Sequence, residues 1–211
     1  MQDVSERSLI TNATNGNAMS KDARIDARNK VRDAAIALFA QKGVKATTIK
    51  DIARAAGVSE GALYRHWASK EELAAALFAA EYTALSHSLR AAAGSGPAPQ
   101  RLRRVIAWAF GLVEAAPDRA RFLLLSQHDA LPLVPEGLET PVDVVCAIVD
   151  DGIAEGSIVD ADREALAHTV IGAIVLNIQS HVYGRQTAPL GALADTVADA
   201  LLRGLSTGKE T

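Results

Sequence analysis

Side chains that can bind phosphate are concentrated in one short stretch of the chain, between residues 47 and 70. The stretch holds two threonines, two serines, a tyrosine, a histidine and four Lys or Arg residues, against only two acids. Hydroxyl, imidazole and cationic groups of this kind donate hydrogen bonds to phosphate oxygens, and the cations add attraction to any polyanion. The stretch therefore predicts a contact with phosphate groups.

Charge is divided unevenly along the chain, although the net charge is only −3. Residues 21–70 hold eleven Lys or Arg against five Asp or Glu, whereas residues 97–211 hold nine bases against fifteen acids. A basic segment attached to an acidic body indicates that the basic segment contacts nucleic acid and that the rest does not. A merely solvated charged face is the alternative.

The pattern of caps and apolar residues divides this stretch into short helices. A helix from about Arg28 to Gln41 ends at Gly43. Thr47 or Thr48 then caps a helix that ends at Gly57, and Ser59 caps another that runs to about His66. Two short helices joined by a Gly-Val-Ser turn have the layout of a helix-turn-helix, whose second helix enters the major groove of DNA. The small residues Gly61 and Ala62 would let its backbone approach the bases.

The segment from Val31 to Leu77 resembles the N-terminal domain of the tetracycline-repressor (TetR) family of bacterial regulators. The matching positions are Leu38-Phe39, Gly43, Thr47-Thr48, Ile52-Ala53, Ala56-Gly57-Val58-Ser59, Gly61, Leu63-Tyr64, His66, Lys70 and Leu73. The resemblance implies that the fold is all-α, with an N-terminal helix-turn-helix domain and a C-terminal helical domain that binds a ligand and dimerises. It also implies ten DNA-binding residues: Thr47, Thr48, Ser59, Glu60, Gly61, Ala62, Tyr64, Arg65, His66 and Lys70.

Several of these residues have ordinary alternatives. Tyr64 and Trp67 could be core aromatics, and His66 could be a solvated surface residue. Glu60 would repel phosphate unless it accepts a hydrogen bond from a cytosine amino group or pairs with Arg65.

The capping box of Ser69 and Glu72 opens a fourth helix, which continues to about Ala93 and ends at the Gly- and Pro-rich segment 94–99. Apolar stripes on two of its sides predict that it links two bodies. The chain is thus divided into a flexible tail over residues 1–27, a DNA-binding domain over 28–70 and a helical domain over 71–211, with helix 69–93 as the link. Further helices are expected at Gln100–Ala116, Asp118–Asp129, Val142–Glu155, Asp162–Tyr183 and Leu190–Leu205.

The last two predicted helices offer more apolar surface than one small body needs. They form either a buried core or the interface of a homodimer. Since one reading head contacts few base pairs, useful specificity requires two heads about 34 Å apart and a palindromic operator. An unknown small effector is expected in the C-terminal domain, where polar or aromatic residues interrupt apolar helices. The candidates are Trp108, Phe110, Phe122, Gln127, His128, Asn177 and His181.

Catalysis is not expected from this sequence. Ser126, His128 and Asp129 stand close together, but residues two or three apart on a helix point in different directions. The sequence has no phosphate loop and no metal-ligand spacing, so neither a cofactor nor a metal is predicted. The lone Cys146, the absence of a secretion signal and the absence of a long apolar run predict a cytoplasmic protein without a membrane partner.

Overall fold

The computed structural model describes residues 21–135 and 137–208. Within these ranges the chain forms nine α-helices, which confirms the all-helical prediction. They are α1 (Lys21–Ala46), α2 (Ile49–Ala56), α3 (Glu60–Tyr64), α4 (Lys70–Ala93), α5 (Ala98–Ala115), α6 (Pro117–Ala130), α7 (Pro141–Glu155), α8 (Arg163–Val182) and α9 (Leu190–Leu205). The helices from α5 onward begin and end within two residues of the predicted positions. The predicted loop after α6 starts with a 3₁₀ turn, Leu131–Leu133.

The first helix differs from its prediction at its start. It begins at Lys21, seven residues before the expected start, so residues 21–27 are helical and not part of a tail. Residues 1–20 lie outside the described residues. The early turns are stabilised by local charge, since Lys30 Nζ lies 2.7 Å from Asp26 Oδ2 one turn away. Gly43 breaks the helical path with φ 78° and ψ 163°, where glycine avoids the strain of a Cβ.

The caps of the short helices are largely as the sequence predicts. Thr48 and Asp51 form a reciprocal capping box at α2, and Gly57 ends that helix with φ 68°. At α3, Ser59 Oγ accepts from the Ala62 amide over 3.2 Å.

The predicted box at α4 forms only in part. Ser69 Oγ accepts from the Glu72 amide over 3.1 Å, as expected. The Glu72 carboxylate, however, accepts from the amide of Ala68 and not from that of Ser69. The carboxylate therefore satisfies a donor one residue farther from the helix.

Two apolar clusters hold the molecule together, and α4 contributes to both. The head cluster joins α1, α2 and α3 to the first half of α4, and the body cluster joins the second half of α4 to α5, α7, α8 and α9. Helix α6 inserts Phe122 into the head cluster, where its ring lies 5.8 Å from that of Phe39 and 6.4 Å from that of Phe78. The predicted boundary at residue 70 therefore does not separate the two cores, because α4 and α6 extend the packing of the head.

Helix α8 is apolar yet mostly uncovered. Of its residues only Ala167, Val170 and Ile174 are buried, and 62% of Leu176 is exposed. By length and composition alone it is the one helix among the described residues that could cross a membrane, which is weak evidence for a span. The alternative of a fully buried core helix is wrong for the single chain, because most of the surface of α8 faces outward.

Candidate nucleic-acid interface

Helix α3, the second helix of the helix-turn-helix pair, presents a continuous exposed surface. Ser59, Glu60, Gly61 and Arg65 are exposed, and Ala62 is half-buried. A Cβ atom built on Gly61 would meet no protein atom within 4 Å, so packing inside the chain does not require glycine there. Because glycine costs a helix about 1 kcal/mol relative to alanine, its presence is consistent with close approach of an external partner.

The aromatic residues that follow take different roles. Tyr64 is 55% exposed, so the alternative of a core aromatic is wrong for this residue. Trp67 is half-buried and packs against the head cluster, as the core interpretation expected. His66 is exposed beside it, with the two ring centres 5.5 Å apart. The phenol and imidazole groups therefore face solvent while the indole anchors the end of α3.

Thr47 was predicted to bind DNA, and the structure corrects this prediction. Its side chain is fully buried, and Oγ1 donates to the carbonyl oxygen of Gly43 over 2.8 Å. A buried hydroxyl that already has an acceptor cannot reach a phosphate. Thr47 instead closes the turn between α1 and α2, while its neighbour Thr48 remains exposed.

Lys70 is placed at the start of α4 as predicted, but its ammonium group is already engaged. Nζ donates to the carbonyl oxygens of Lys45 and Thr47 over 2.8 and 2.9 Å, and it lies 3.8 Å from a carboxylate oxygen of Glu71. Two of its three N–H bonds thus point at the backbone of the α1–α2 turn. Lys70 is therefore better placed to position the turn than to bind phosphate directly.

Two further cations on α2, Lys50 and Arg54, were not among the predicted contacts. Both are exposed, and within the described part of the chain no carboxylate lies within 4 Å of either charge or of Arg65. Their i, i+4 spacing, opposite the apolar face of the helix, was the signal that could have identified them. By contrast, several arginines of the body are paired with acids, as Arg163 is with Asp150 over 2.9 Å.

A basic groove of about 1900 Å³ runs between the first half of α1 and the turn that joins α2 to α3. Five of its lining residues carry a cationic or imidazole group, against two acids. These five are Arg28, Lys30, Arg54, Arg65 and His66. The groove therefore continues the positive surface of the helix pair toward the start of the chain.

The acids near this surface differ in their surroundings. Asp51 is held by Lys42, whose Nζ lies 2.8 Å from Oδ2, and by the hydroxyl and amide of Thr48. The hydrogen bond from Lys42 is the largest cause that lowers the pKa of Asp51 from 3.8 to about 2. Glu60 has no such partner among the described residues, and it is not within 4 Å of the Arg65 guanidinium. Its carboxylate stays available to an external donor.

Two of the seven predicted ligand-binding residues lie in different apolar clusters. Phe110 lies in the body cluster and Phe122 in the head cluster, both fully buried, so Phe122 is a core residue between α1, α4 and α6. Trp108 is half-buried against the body cluster, and His128 is exposed. Gln127, Asn177 and His181 are half-buried.

The polar residues near the end of α8 differ in how well they are satisfied. Asn177 donates to the carbonyl oxygen of Ala173 in its own helix over 2.8 Å. His181 Nδ1 and Gln186 Nε2 are buried and have no hydrogen-bond partner among the described residues. Over the same residues, no group of three His, Cys, Asp or Glu side chains is placed to hold a metal ion.

The chain is similar to known proteins in sequence and in fold. The sequence model described as bacterial regulatory proteins of the tetR family matches residues 31–77. The HTH-type transcriptional repressor KstR2 of Mycobacterium tuberculosis is 50% identical over 46 residues, which are 22% of this chain and 23% of that protein. This close similarity thus spans about a quarter of the curated relative's length.

A more distant similarity extends beyond the head. The fatty acid metabolism regulator protein of Bacillus subtilis is 25% identical over 182 residues, which cover 83% of this chain and 94% of that protein. A crystal structure of the transcriptional regulator FadR from Bacillus subtilis in complex with stearoyl-CoA superposes with a TM-score of 0.77 at 23% identity, covering 84% of this chain and 99% of that one. The whole helical arrangement, and not only the head, is therefore shared with known regulators.

Proposed function

We propose that this chain, which belongs to the TetR family of bacterial regulatory proteins, is a cytoplasmic, sequence-specific DNA-binding repressor released from a palindromic operator by a small, partly apolar ligand. The observation that carries the proposal is the exposed face of α3, where a Cβ added to Gly61 would meet no protein atom within 4 Å and where, among the described residues, no carboxylate lies within 4 Å of the Arg65 guanidinium. Polar and charged groups that have no partner inside the protein are available to bind another molecule. In a helix-turn-helix protein the second helix lies in the major groove of DNA, so the partner would be the edges of base pairs.

The residues divide into those that would read bases and those that would bind the backbone. Arg65 can donate two hydrogen bonds to guanine, and Glu60 can accept one from the amino group of cytosine. The exposed hydroxyl of Tyr64 and the cations Lys50 and Arg54 suit phosphate oxygens, which position a protein on DNA without reading its sequence. This division predicts different consequences when each set is mutated.

We also propose that a second copy of the chain packs against α8 in a homodimer. Ile171, Val175 and Ile178 are half-buried and Leu176 is largely exposed, so the helix presents an apolar strip to solvent. Apolar area of this kind favours association by about 25 cal/mol for each Å² removed from water. Helix α9 would contribute less than the sequence suggested, because two of its outward acids, Asp195 and Asp199, are paired with Arg103 of α5.

The effector is proposed to bind in the body near the end of α8. The unpaired ring nitrogen of His181 supports a polar contact there, because a buried polar atom without a partner costs free energy. The surrounding helices are apolar, which suits a ligand with an apolar part. The structure of FadR from Bacillus subtilis in complex with stearoyl-CoA makes a long-chain acyl-CoA the first probe to test.

The proposal is tested by selecting bound fragments from random duplex DNA and then titrating the selected sequence in a mobility-shift assay. A palindrome whose half-sites are centred about one helical turn apart is expected, and it should bind at least about 1000-fold more tightly than random duplex at physiological salt. The matched control is Arg203→Ala, which removes an exposed cation of α9 and should leave affinity unchanged. Equal affinity for every duplex would contradict sequence-specific binding.

Release is tested with the same shifted complex. Stearoyl-CoA and a short acyl-CoA are added separately, and melting of the free protein is followed in parallel. Release together with an increase in melting temperature is expected for the long chain only, since apolar burial scales with chain length. His181→Phe should weaken this response while operator affinity without ligand stays unchanged. Release that is equal for both lengths would contradict an apolar site.

A further inference from the structure

Glu81 is the only charged residue that is buried among those the structure describes. It lies in α4 with 7% of its surface exposed, in the company of only two other buried polar residues, Thr47 and Ser86. The hydroxyl of Ser86, like that of Thr47, is satisfied by a carbonyl oxygen of the local backbone, here Tyr82 over 3.0 Å. A carboxylate needs stronger compensation, because removing it from water costs several kcal/mol.

The compensation comes from helices on two sides of α4. Arg119 of α6 forms a close ion pair with Oε2 of Glu81, and Nε of Arg32 in α1 lies 4.0 Å from Oε1. Arg119 Nε makes no well-directed hydrogen bond, so the contact is chiefly an attraction between charges. One carboxylate of α4 thus faces α1 of the head and the start of α6, where Ala120 belongs to the body cluster.

The position of Glu81 along α4 gives this contact its importance. The residues just before it, Leu77 and Phe78, belong to the head cluster, whereas Leu89 and Ala93 belong to the body cluster. A groove of about 600 Å³ opens beside the three charged side chains, between α1 and the start of α6. The side chains therefore meet where the two cores separate and where there is room for the helices to shift.

We propose that Glu81 is a positioning residue that fixes the orientation of the DNA-binding head relative to the body, through Arg119 on α6 and Arg32 on α1. Apolar side chains of similar volume would hold the helices together at least as firmly. They would not favour one alignment, because the hydrophobic effect is non-directional, whereas a buried carboxylate is stabilised only while its cationic partners stay within a few Å of it. The expected effect on operator affinity rests on the proposed function.

The test measures the distance between head and body within one chain. Spin labels are attached to Ala55→Cys in α2 and Ala161→Cys before α8, in a Cys146→Ala background, and labelled chain is mixed with an excess of unlabelled chain. The decisive variant is the apolar double substitution Glu81→Leu with Arg119→Leu, and Glu81→Gln serves as a single substitution that keeps the volume. Asp151→Asn, which breaks the 2.5 Å pair with Arg101 inside the body, is the matched control.

We expect the double variant to melt within a few degrees of the parent and to show a clearly broader or shifted distribution of label distances. Operator affinity should fall about 5- to 150-fold, the usual range of coupling between sites. Asp151→Asn should reproduce the parent distribution. An unchanged distribution in folded double and single variants would overturn the proposal, and so would loss of the folded state in both, which would assign Glu81 to stability alone.

The distance measurement needs neither DNA nor effector, so it separates this inference from the proposed function. A broadened distribution in variants of a parent that binds no operator would refute DNA recognition and leave the positioning role intact. Operator binding by the parent, with an unchanged distance distribution in the variants, would support DNA recognition and refute the positioning role.

Discussion

The ammonium group of Lys70 lies 2.9 Å from the carbonyl oxygen of Thr47, a residue 23 positions earlier in the chain. It donates a second hydrogen bond to Lys45, so the first residue of α4 holds the turn that precedes α2. The start of the linking helix and the start of the helix-turn-helix pair are thereby tied together. The first turns of α4 therefore contact the head through these polar atoms as well as through the apolar core.

Replacing Lys70 should affect stability and DNA affinity together. Lys70→Ala removes two hydrogen bonds from a charged donor, which should lower the free energy of unfolding by about 2 kcal/mol. Operator affinity should fall at every salt concentration without a change in the slope of log affinity against log salt, since the ammonium group acts through the backbone. Urea unfolding and a salt series of mobility-shift titrations measure both effects. A slope lowered by about one would instead establish a direct phosphate contact.

Substitution of Arg65 and substitution of Arg54 should change DNA binding in different ways. Arg65→Ala should relax sequence preference at one position of each half-site, at a cost of about 1 to 3 kcal/mol against the preferred base. Arg54→Ala should weaken binding to all sequences alike and lower the salt slope by about one. Repeating the fragment selection with each variant distinguishes the two. Identical selected sequences for Arg65→Ala and the parent would remove Arg65 from base reading.

The low pKa of Asp51 makes the capping of α2 dependent on pH. Because the folded-state pKa is about 2, below the ordinary 3.8, the carboxylate adds stability that is fully present above about pH 4 and is lost as the pH falls toward 2. Urea unfolding between pH 2 and 5 should show a shallower decline for Asp51→Asn than for the parent. Asp160→Asn is the control and should follow the parent curve. Parallel curves for Asp51→Asn and the parent would show that the cap does not survive in solution.

A charge on the exposed strip of α8 should separate the proposed dimer. Leu176→Asp forfeits about 2 kcal/mol of apolar burial in each chain and places a carboxylate at an apolar contact. Sedimentation velocity should report a folded monomer that has lost tight operator binding. Leu133→Asp, at a residue 65% exposed on the 3₁₀ turn, should remain dimeric. A dimeric Leu176→Asp protein would place the interface elsewhere.

Features set by neighbouring residues could be predicted from the sequence. Thr48, Ser59 and Gly57 lie at the caps where they were expected, because a cap depends on a side chain and an amide two or three residues apart. The apolar period likewise located the helices of the body. The start of α1 was missed because charged residues without an apolar period stabilise its first turns.

Features that depend on packing between distant segments could not be predicted. Nothing near Glu81 in the sequence shows that it is buried, because its partners Arg32 and Arg119 lie far away along the chain. Phe122 was assigned to a ligand site for the same reason. An aromatic residue on α6 could line a cavity or fill a core, and only the approach of Phe39 decides between them.

The continuity of α4 limits how regulators of this design can exchange parts. One unbroken helix carries part of the head core and part of the body core, and α6 completes the head core, so no cut between residues 70 and 93 leaves the head core complete. A chimaera that joins this head to a foreign body would have to match the register of the helix, the ring of Phe122 and the charge opposite Glu81 at once. New combinations of operator and effector are therefore reached more readily by substitution within each part than by recombination between parts.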